Sequence, residues 1–287
     1  MNKPQWITAG VALFLVVGLY AATSDAIFGH HPKKSSTPAA AATADLHAGE
    51  LSIDSILVHA REKLTPRQQA RLNFLESSLQ KAGPEEQLHL NHQLARYWRD
   101  SVRMFEPYAW YTAEAARLEN SEKSLTFAAH LFLNNLRAEG NPELKHWKGH
   151  QAQELFERSL KINPANDSSA VGLGAVYLFG GMSPNPMEGI QKIRAVVEKD
   201  STNVYAQMTL GHASILSGQL DRAIERFEKV VRLQPRNLEA ILSLAEAEER
   251  HGNTAAAVSW YRQSLPLSNS IPRLREEVER RINALSK

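Results

Sequence analysis

Residues Leu210 to Pro235 read LGHASILSGQLDRAIERFEKVVRLQP, and Leu244 to Tyr261 read LAEAEERHGNTAAAVSWY. Laid over one another, the stretches agree in kind at Leu210 and Leu244, Gly211 and Ala245, Gly218 and Gly252, Ala223 and Ala257, and Phe227 and Tyr261. Each pair is 34 positions apart (244 − 210, for example). A fixed period of this size marks a structural unit repeated along the chain, and the apolar spacing on either side of each glycine is helical. Small residues at 211, 223 and 245 let two antiparallel helices approach closely, while Phe227 and Tyr261 fill the gap between successive pairs. One helix pair cannot bury both of its faces, so an array is required.

The period and the residues together resemble the tetratricopeptide repeat (TPR). Leu210-Gly211 falls in a first helix, Gly218 at the turn, Ala223 and Phe227 in a second helix, and Pro235 closes the unit. The resemblance implies an all-α fold: a TPR-type α-solenoid, a right-handed superhelix of antiparallel helix pairs, that binds other proteins. Working outward, Leu173-Gly174 and Tyr177 open another unit that begins 37 residues before Leu210 (210 − 173) and so carries three extra residues (37 − 34). These are placed at Ser183-Pro184-Asn185. Ala152, Phe156 and Pro164 read as the second half of a further unit, preceded by a long first helix from about Ser121 to Arg137. Leu94-Ala95 and Trp98 read as the start of one more, with Pro107 opening its second helix. About five pairs are thus expected over residues 85–268.

Two elements flank them. Within 51–84, Thr65-Pro66-Arg67-Gln68 is a capping box with proline at the first helical position, and Leu72, Leu75 and Leu79 share one face of the helix it starts. Over 269–287, Leu274, Val278, Ile282 and Leu285 form the apolar stripe of an otherwise charged capping helix, the device by which a repeat array ends its core in water.

The N-terminus has a different character. Uncharged residues run from Trp6 to Asp25, 19 steps or about 28 Å of helix, close to the hydrocarbon thickness of a bilayer. The expectation is a single-pass transmembrane anchor over 1–28; a cleaved signal peptide is the competing reading, with Ser24-Asp25-Ala26 as its small residues. Residues 29–50, GHHPKKSSTPAAAATADLHAGE, lack apolar periodicity and have the composition of a flexible linker. Lys3 is balanced by Lys33 and Lys34, so the positive-inside rule gives a tie, and only the convention for short tails puts the N-terminus inside and the repeats in the periplasm.

Composition excludes several function classes. The 33 Lys and Arg stand against 31 Asp and Glu, a net charge of +2, which argues against nucleic acid as a partner. With no cysteine there is no thiolate nucleophile, CxxC pair, zinc-thiolate site or lipidated cysteine. The chain is expected to be no enzyme, with no cofactor and no small-molecule substrate. Gly172-Leu-Gly174 lacks the third glycine of a dinucleotide fingerprint, and the repeat accounts for it. His146 and His150 share a helix face without a nearby carboxylate cluster and are read as solvated, and His30-His31 stand alone in the linker. Tyr97, Trp98, Phe105, Tyr108, Trp110 and Tyr111 have the helical spacing of core.

More narrowly, FEPYAWYTAEAARLENSEKSLTFAAHLFLNNLR and NPMEGIQKIRAVVEKD resemble membrane-anchored TPR proteins of Bacteroidota, which implies an anchored, extracytoplasmic repeat domain. The layout is also similar to inner-membrane TPR proteins that assist chaperones or cytochrome c maturation.

One surface feature has a pattern of its own. His89, His92, Arg96, Arg99 and Arg103 recur at steps of 3, 4, 3 and 4, so they lie along one side of a helix. The TPR resemblance places that side in the concave groove. The equivalent positions of later units hold Tyr205, Met208 and His212, then Glu239, Glu246 and Glu249. The expected function is therefore a membrane-anchored scaffold that grips an extended or helical segment of a protein or peptide partner in a groove running from basic through apolar to acidic. The alternative is a constitutive structural subunit or assembly factor of an inner-membrane complex.

Overall fold

The computed structural model describes residues 51–182 and 185–287. The apolar stretch Trp6 to Asp25, the linker with His30 and His31, and the inserted Ser183 and Pro184 lie outside the described residues. Among the described residues no helix is long and apolar enough to cross a membrane.

The described chain is all-helical: α1 (Ile53–Glu62), α2 (Pro66–Lys81), α3 (Pro84–Arg96), α4 (Phe105–Glu119), α5 (Glu122–Leu136), α6 (Pro142–Ile162), α7 (Asp167–Phe179), α8 (Pro186–Lys199), α9 (Val204–Leu216), α10 (Leu220–Leu233), α11 (Leu238–His251), α12 (Thr254–Ser264) and α13 (Pro272–Leu285). It divides into two compact units, the first ending at Gly189 and the second running from Ile190 to Lys287.

Helix starts are set locally. Thr65 forms the full capping box with Gln68, with Pro66 at the first helical position. Ser121 caps α5, and Asn141 caps α6, where Pro142 again opens the helix. At Asn166, Asn203 and Asn237 the same device recurs: each side-chain oxygen accepts from the backbone N–H three residues on, at 2.9, 3.0 and 3.0 Å. These caps begin α7, α9 and α11, and their spacings of 37 (203 − 166) and 34 (237 − 203) follow the repeat, insertion included.

In the first unit one cluster packs alanines of α4 and α5 around Phe132, Trp147, Leu155 and Phe156, and another packs Leu72, Leu75, Leu94 and Tyr111 around Trp98. A buried ion triad ties α4 to α6: Lys148, 1% exposed, places Nζ 2.8 Å from Glu106 and 2.5 Å from Glu139, with the Phe105 ring 5.4 Å away. Burial pushes the Glu139 carboxyl up, but hydrogen bonds from Lys148 and from the backbone of Asn141 and Gly140 outweigh it and hold it below the usual range. A buried ammonium without such partners would be costly. In the second unit one core gathers Phe227, Val230, Ala240 and Leu244, and a second sets Tyr261 against Leu274, Val278 and Ile282 of α13.

Two close approaches are made where a phenylalanine ring lies on a glycine. A Cβ on Gly211 would stand 2.5 Å from Phe227 Cε1, and a Cβ on Gly172 would enter the ring of Phe156. Both rings are 0% exposed, so neither can step aside. Gly218 and Gly252 serve differently, ending α9 and α11 at φ 71° and 89° in the left-handed region. Gly211→Ala is therefore expected to destabilise the second unit by about 1–3 kcal/mol through overpacking. Ala223→Leu, which inserts a larger side chain at a fully buried position beside the same ring, should cost as much or more. Chemical unfolding measures both; unchanged midpoints would mean the rings do not sit on these positions.

Candidate functional site

The basic stripe does not run along one helix. The α-geometry stops at Arg96, Tyr97–Val102 form a π-turn, and Arg103 takes a left-handed conformation at φ 65° and ψ 44°. Its N–H closes on the Trp98 carbonyl at 2.7 Å. A π-turn advances each residue by a smaller angle than an α-turn, so the 3-4-3-4 register is lost at this point. Trp98 and Tyr97 are buried at the interruption, which is how the chain turns without losing its core contacts. His89, His92 and Arg96 remain together on the exposed side of α3. Arg99 is turned aside: it pairs with Asp100 at 2.8 Å and lies over the Tyr108 ring, and the Asp100 hydrogen bond raises its pKa further. Arg103 is exposed beyond the helix end.

The other expected groove residues are placed unevenly. Met208 is 7% exposed and belongs to the core, so it offers little to a partner. Tyr205 is half-buried, and His212 lies 5.2 Å from the Phe227 ring with Nε2 3.5 Å from the exposed Glu239. The two remaining acids are engaged by their own chain. Arg281 of α13 forks onto Glu249 at 2.7 and 2.8 Å, and the Tyr261 hydroxyl donates to the same carboxylate at 2.9 Å. Glu246 pairs with Arg250 at 2.6 Å; burial nonetheless pushes its pKa up, with Arg250 opposing. The acidic end expected from the sequence is thus largely neutralised within the second unit.

A site the register missed lies between α5 and α7, the contacting first helices of two successive pairs in the first unit. Glu122, Lys123, Thr126, Phe127, His130, Asn166 and Ser168 line a hollow of about 390 Å³. Its floor is a buried hydroxyl cluster. Thr126 Oγ1 lies 2.9 Å from Ser159 Oγ and 2.8 Å from Ser169 Oγ, and these two are 2.9 Å apart. Asn166 donates to Glu122 and Thr126 while capping α7, and Asn163 donates to Glu122 at 2.9 Å. A buried polar group is cheap only when bonded, so this closed network fixes the floor.

The walls are less committed. Phe127 is 57% exposed although its helix has an apolar core face, and Lys123 is exposed with no carboxylate partner among the described residues. His130 Nε2 lies 2.9 Å from Ser168 Oγ, its ring is edge-on to Phe156 at 5.0 Å, and burial lowers its pKa, so it is held neutral. The hollow therefore offers an aromatic face, one cation, and a neutral imidazole beside a hydroxyl. That set suits a short protein segment with an apolar side chain and a hydrogen-bond acceptor. In the sequence its one signal was a phenylalanine, Phe127, on the polar side of a helix whose other face already carried Leu125, Ala128, Ala129 and Phe132.

These features define an all-helical repeat protein built from antiparallel helix pairs. Residues 208–270 match the tetratricopeptide repeat family model. Among solved structures, a thermophilic TPR protein of Thermus thermophilus is similar at 15% identity and a TM-score of 0.51, covering 70% of this chain and 99% of that one. PilW, titled a widely conserved type IV pilus biogenesis factor, has 16% identity and a TM-score of 0.46, covering 69% and 92%. YrrB, titled a TPR protein with an unusual peptide-binding site, has 15% identity and a TM-score of 0.42, covering 72% and 97%. At such identities the likeness concerns the fold alone. No curated protein matches the chain.

Proposed function

We propose that this chain is a protein-binding scaffold whose first unit holds a segment of a partner protein across α5 and α7. The observation that carries the reading is Phe127, a large aromatic left 57% exposed over a rigid polar floor, with the unpaired Lys123 one turn before it. An isolated exposed apolar residue is unremarkable, but this one is rimmed by polar groups that a bound segment can satisfy. Aromatic residues, phenylalanine included, are enriched at protein interfaces, where a ring buried by the partner can anchor it. His89, His92 and Arg96 give the same unit a further exposed basic surface on α3, matched to acidic residues of the partner. Repeat proteins supply such surfaces because each pair presents its first helix in the same way.

The same proposal keeps the chain at a membrane. The uncharged stretch that runs from Trp6 to Ser24, just before Asp25, anchors it, and the linker 29–50 sets the repeats away from the bilayer in the periplasm of a bacterial cell. A second reading, permanent docking as a subunit of a membrane complex, is favoured by Phe74, 61% exposed on α2.

A photo-crosslinking amino acid placed at Phe127 in cells should trap a discrete protein, and Lys123→Glu should abolish the adduct while leaving the thermal melt within about 1 °C, as expected for an exposed charge. Adducts formed instead only from position 74 would favour the docked-subunit reading, and none from either would remove both. For topology, alkaline phosphatase fused after residue 50 and after residue 287 should be active in both fusions. Inactivity of both puts the repeats in the cytoplasm.

A further inference from the structure

Three guanidinium groups of the second unit come together with no carboxylate bound to any of them. Arg222 and Arg226 stand one turn apart on α10, a spacing at which like charges repel. Arg226 is half-buried on a fixed seat. The Gln207 amide of α9, 3% exposed, donates to the Ser201 carbonyl at 2.9 Å and so turns its Oε1 to accept from Arg226 at 2.9 Å. Burial lowers the Arg226 pKa; Glu225 opposes this, and Arg194 of α8 and Arg222 add to the lowering, which places both cations within its field. The remaining acids of α10 are engaged elsewhere, Asp221 beside His251 at 2.9 Å and Glu228 with Arg232 at 3.4 Å. Among the described residues none of Arg194, Arg222 and Arg226 forms an ion pair. Arg222 spends one N–H on Gln219 and Arg226 one on Gln207, out of the five that each guanidinium carries.

We propose that Arg194, Arg222 and Arg226 bind a phosphate group. A carboxylate is planar and takes one guanidinium fork through its two oxygens, whereas a tetrahedral oxyanion can meet several forks at once. Charge gives the same answer. Three arginines less Glu225 leave 3 − 1 = +2 around Arg226, and a phosphate group carries about −1.5 to −2 at neutral pH. Arg226 is the preorganised member, because Gln207 holds it in place, while the exposed Arg222 and Arg194 close on the ion from two different helices. The site belongs to the other unit from the Phe127 hollow and does not rest on the reading of that hollow.

The test is a calorimetric titration of the full chain, in non-ionic detergent at constant ionic strength, with inorganic phosphate, sn-glycerol 3-phosphate and acetate in turn. One equivalent of phosphate is expected, and acetate should bind at least about tenfold more weakly because it fills a single fork. Tighter binding of inorganic phosphate marks the free ion as the ligand, and tighter binding of glycerol 3-phosphate marks an esterified phosphate such as a lipid headgroup; either supports the site. Arg194→Gln, Arg222→Gln and Arg226→Gln should each weaken phosphate binding by about tenfold, the loss expected for a hydrogen bond to a charged group. Arg232→Gln, which removes only the pair with Glu228, should change it by less than about twofold. Arg194 and Arg222 are exposed, so their variants should melt with the parent and carry the test even if Arg226→Gln fails to fold. Phosphate affinity unchanged in both Arg194→Gln and Arg222→Gln would overturn the proposal, as would acetate bound as tightly as phosphate.

Discussion

A phenylalanine ring resting on a glycine backbone is the contact on which the rest of this structure depends. Phe227 lies on Gly211 and Phe156 on Gly172, and a single added methyl group would intrude on either ring. The approach brings the helices close enough for small residues such as Ala213, Ala240 and Ala245 to complete the core, where loosely spaced helices would need larger side chains. A histidine flanks each ring on a first helix: His130 lies 5.0 Å from Phe156 and His212 5.2 Å from Phe227. The packing rule that builds each unit therefore also decides what its first-helix surface offers to solvent.

That surface differs between the units in chemistry. In the second, Glu249 meets Arg281 and so helps to seat the capping helix α13, while Glu246 meets Arg250 of its own helix. The bidentate Arg281–Glu249 pair, shielded in part and shared with the Tyr261 hydroxyl, is worth more than a lone surface pair. In the first, Lys123 and Arg96 form no ion pair among the described residues, and Phe127 stays exposed. Of the polar groups there, the buried Ser159, Ser169 and Lys148 and the half-buried Thr126 are bonded, whereas the buried Trp98 Nε1 has no partner among the described residues.

Much of the repeat was legible because its residues obey a spacing. The 34-residue step in the second unit, the capping box at Thr65 and the apolar stripe of α13 all rest on short-range rules that packing had no reason to override. The asparagine caps at 166, 203 and 237 carry the same register. Less legible was any feature set by an interruption. Nothing in HLNHQLARYWRDSVR announces a π-turn, because Trp98 is buried by contacts with distant α2 as well as by its own helix. The five-residue basic stripe consequently broke at Arg96. Nor could sequence spacing show that Arg281 would reach Glu249, 32 residues earlier, or that Ser159 and Ser169 would close a network with Thr126 beneath a hollow. Side-chain partners far apart in the chain are settled by tertiary packing, and a register argument assigns faces without assigning partners.

The account stands or falls on whether a partner covers the first-helix face of the first unit. Hydrogen–deuterium exchange on the chain purified from its native membranes with its bound partner, compared with the chain alone, measures that cover directly. Peptides spanning 122–137 and 166–179 should exchange more slowly in the complex, while a peptide spanning 220–233 should be unchanged. Slower exchange confined to 66–81, or none in 122–137 and 166–179, would contradict it.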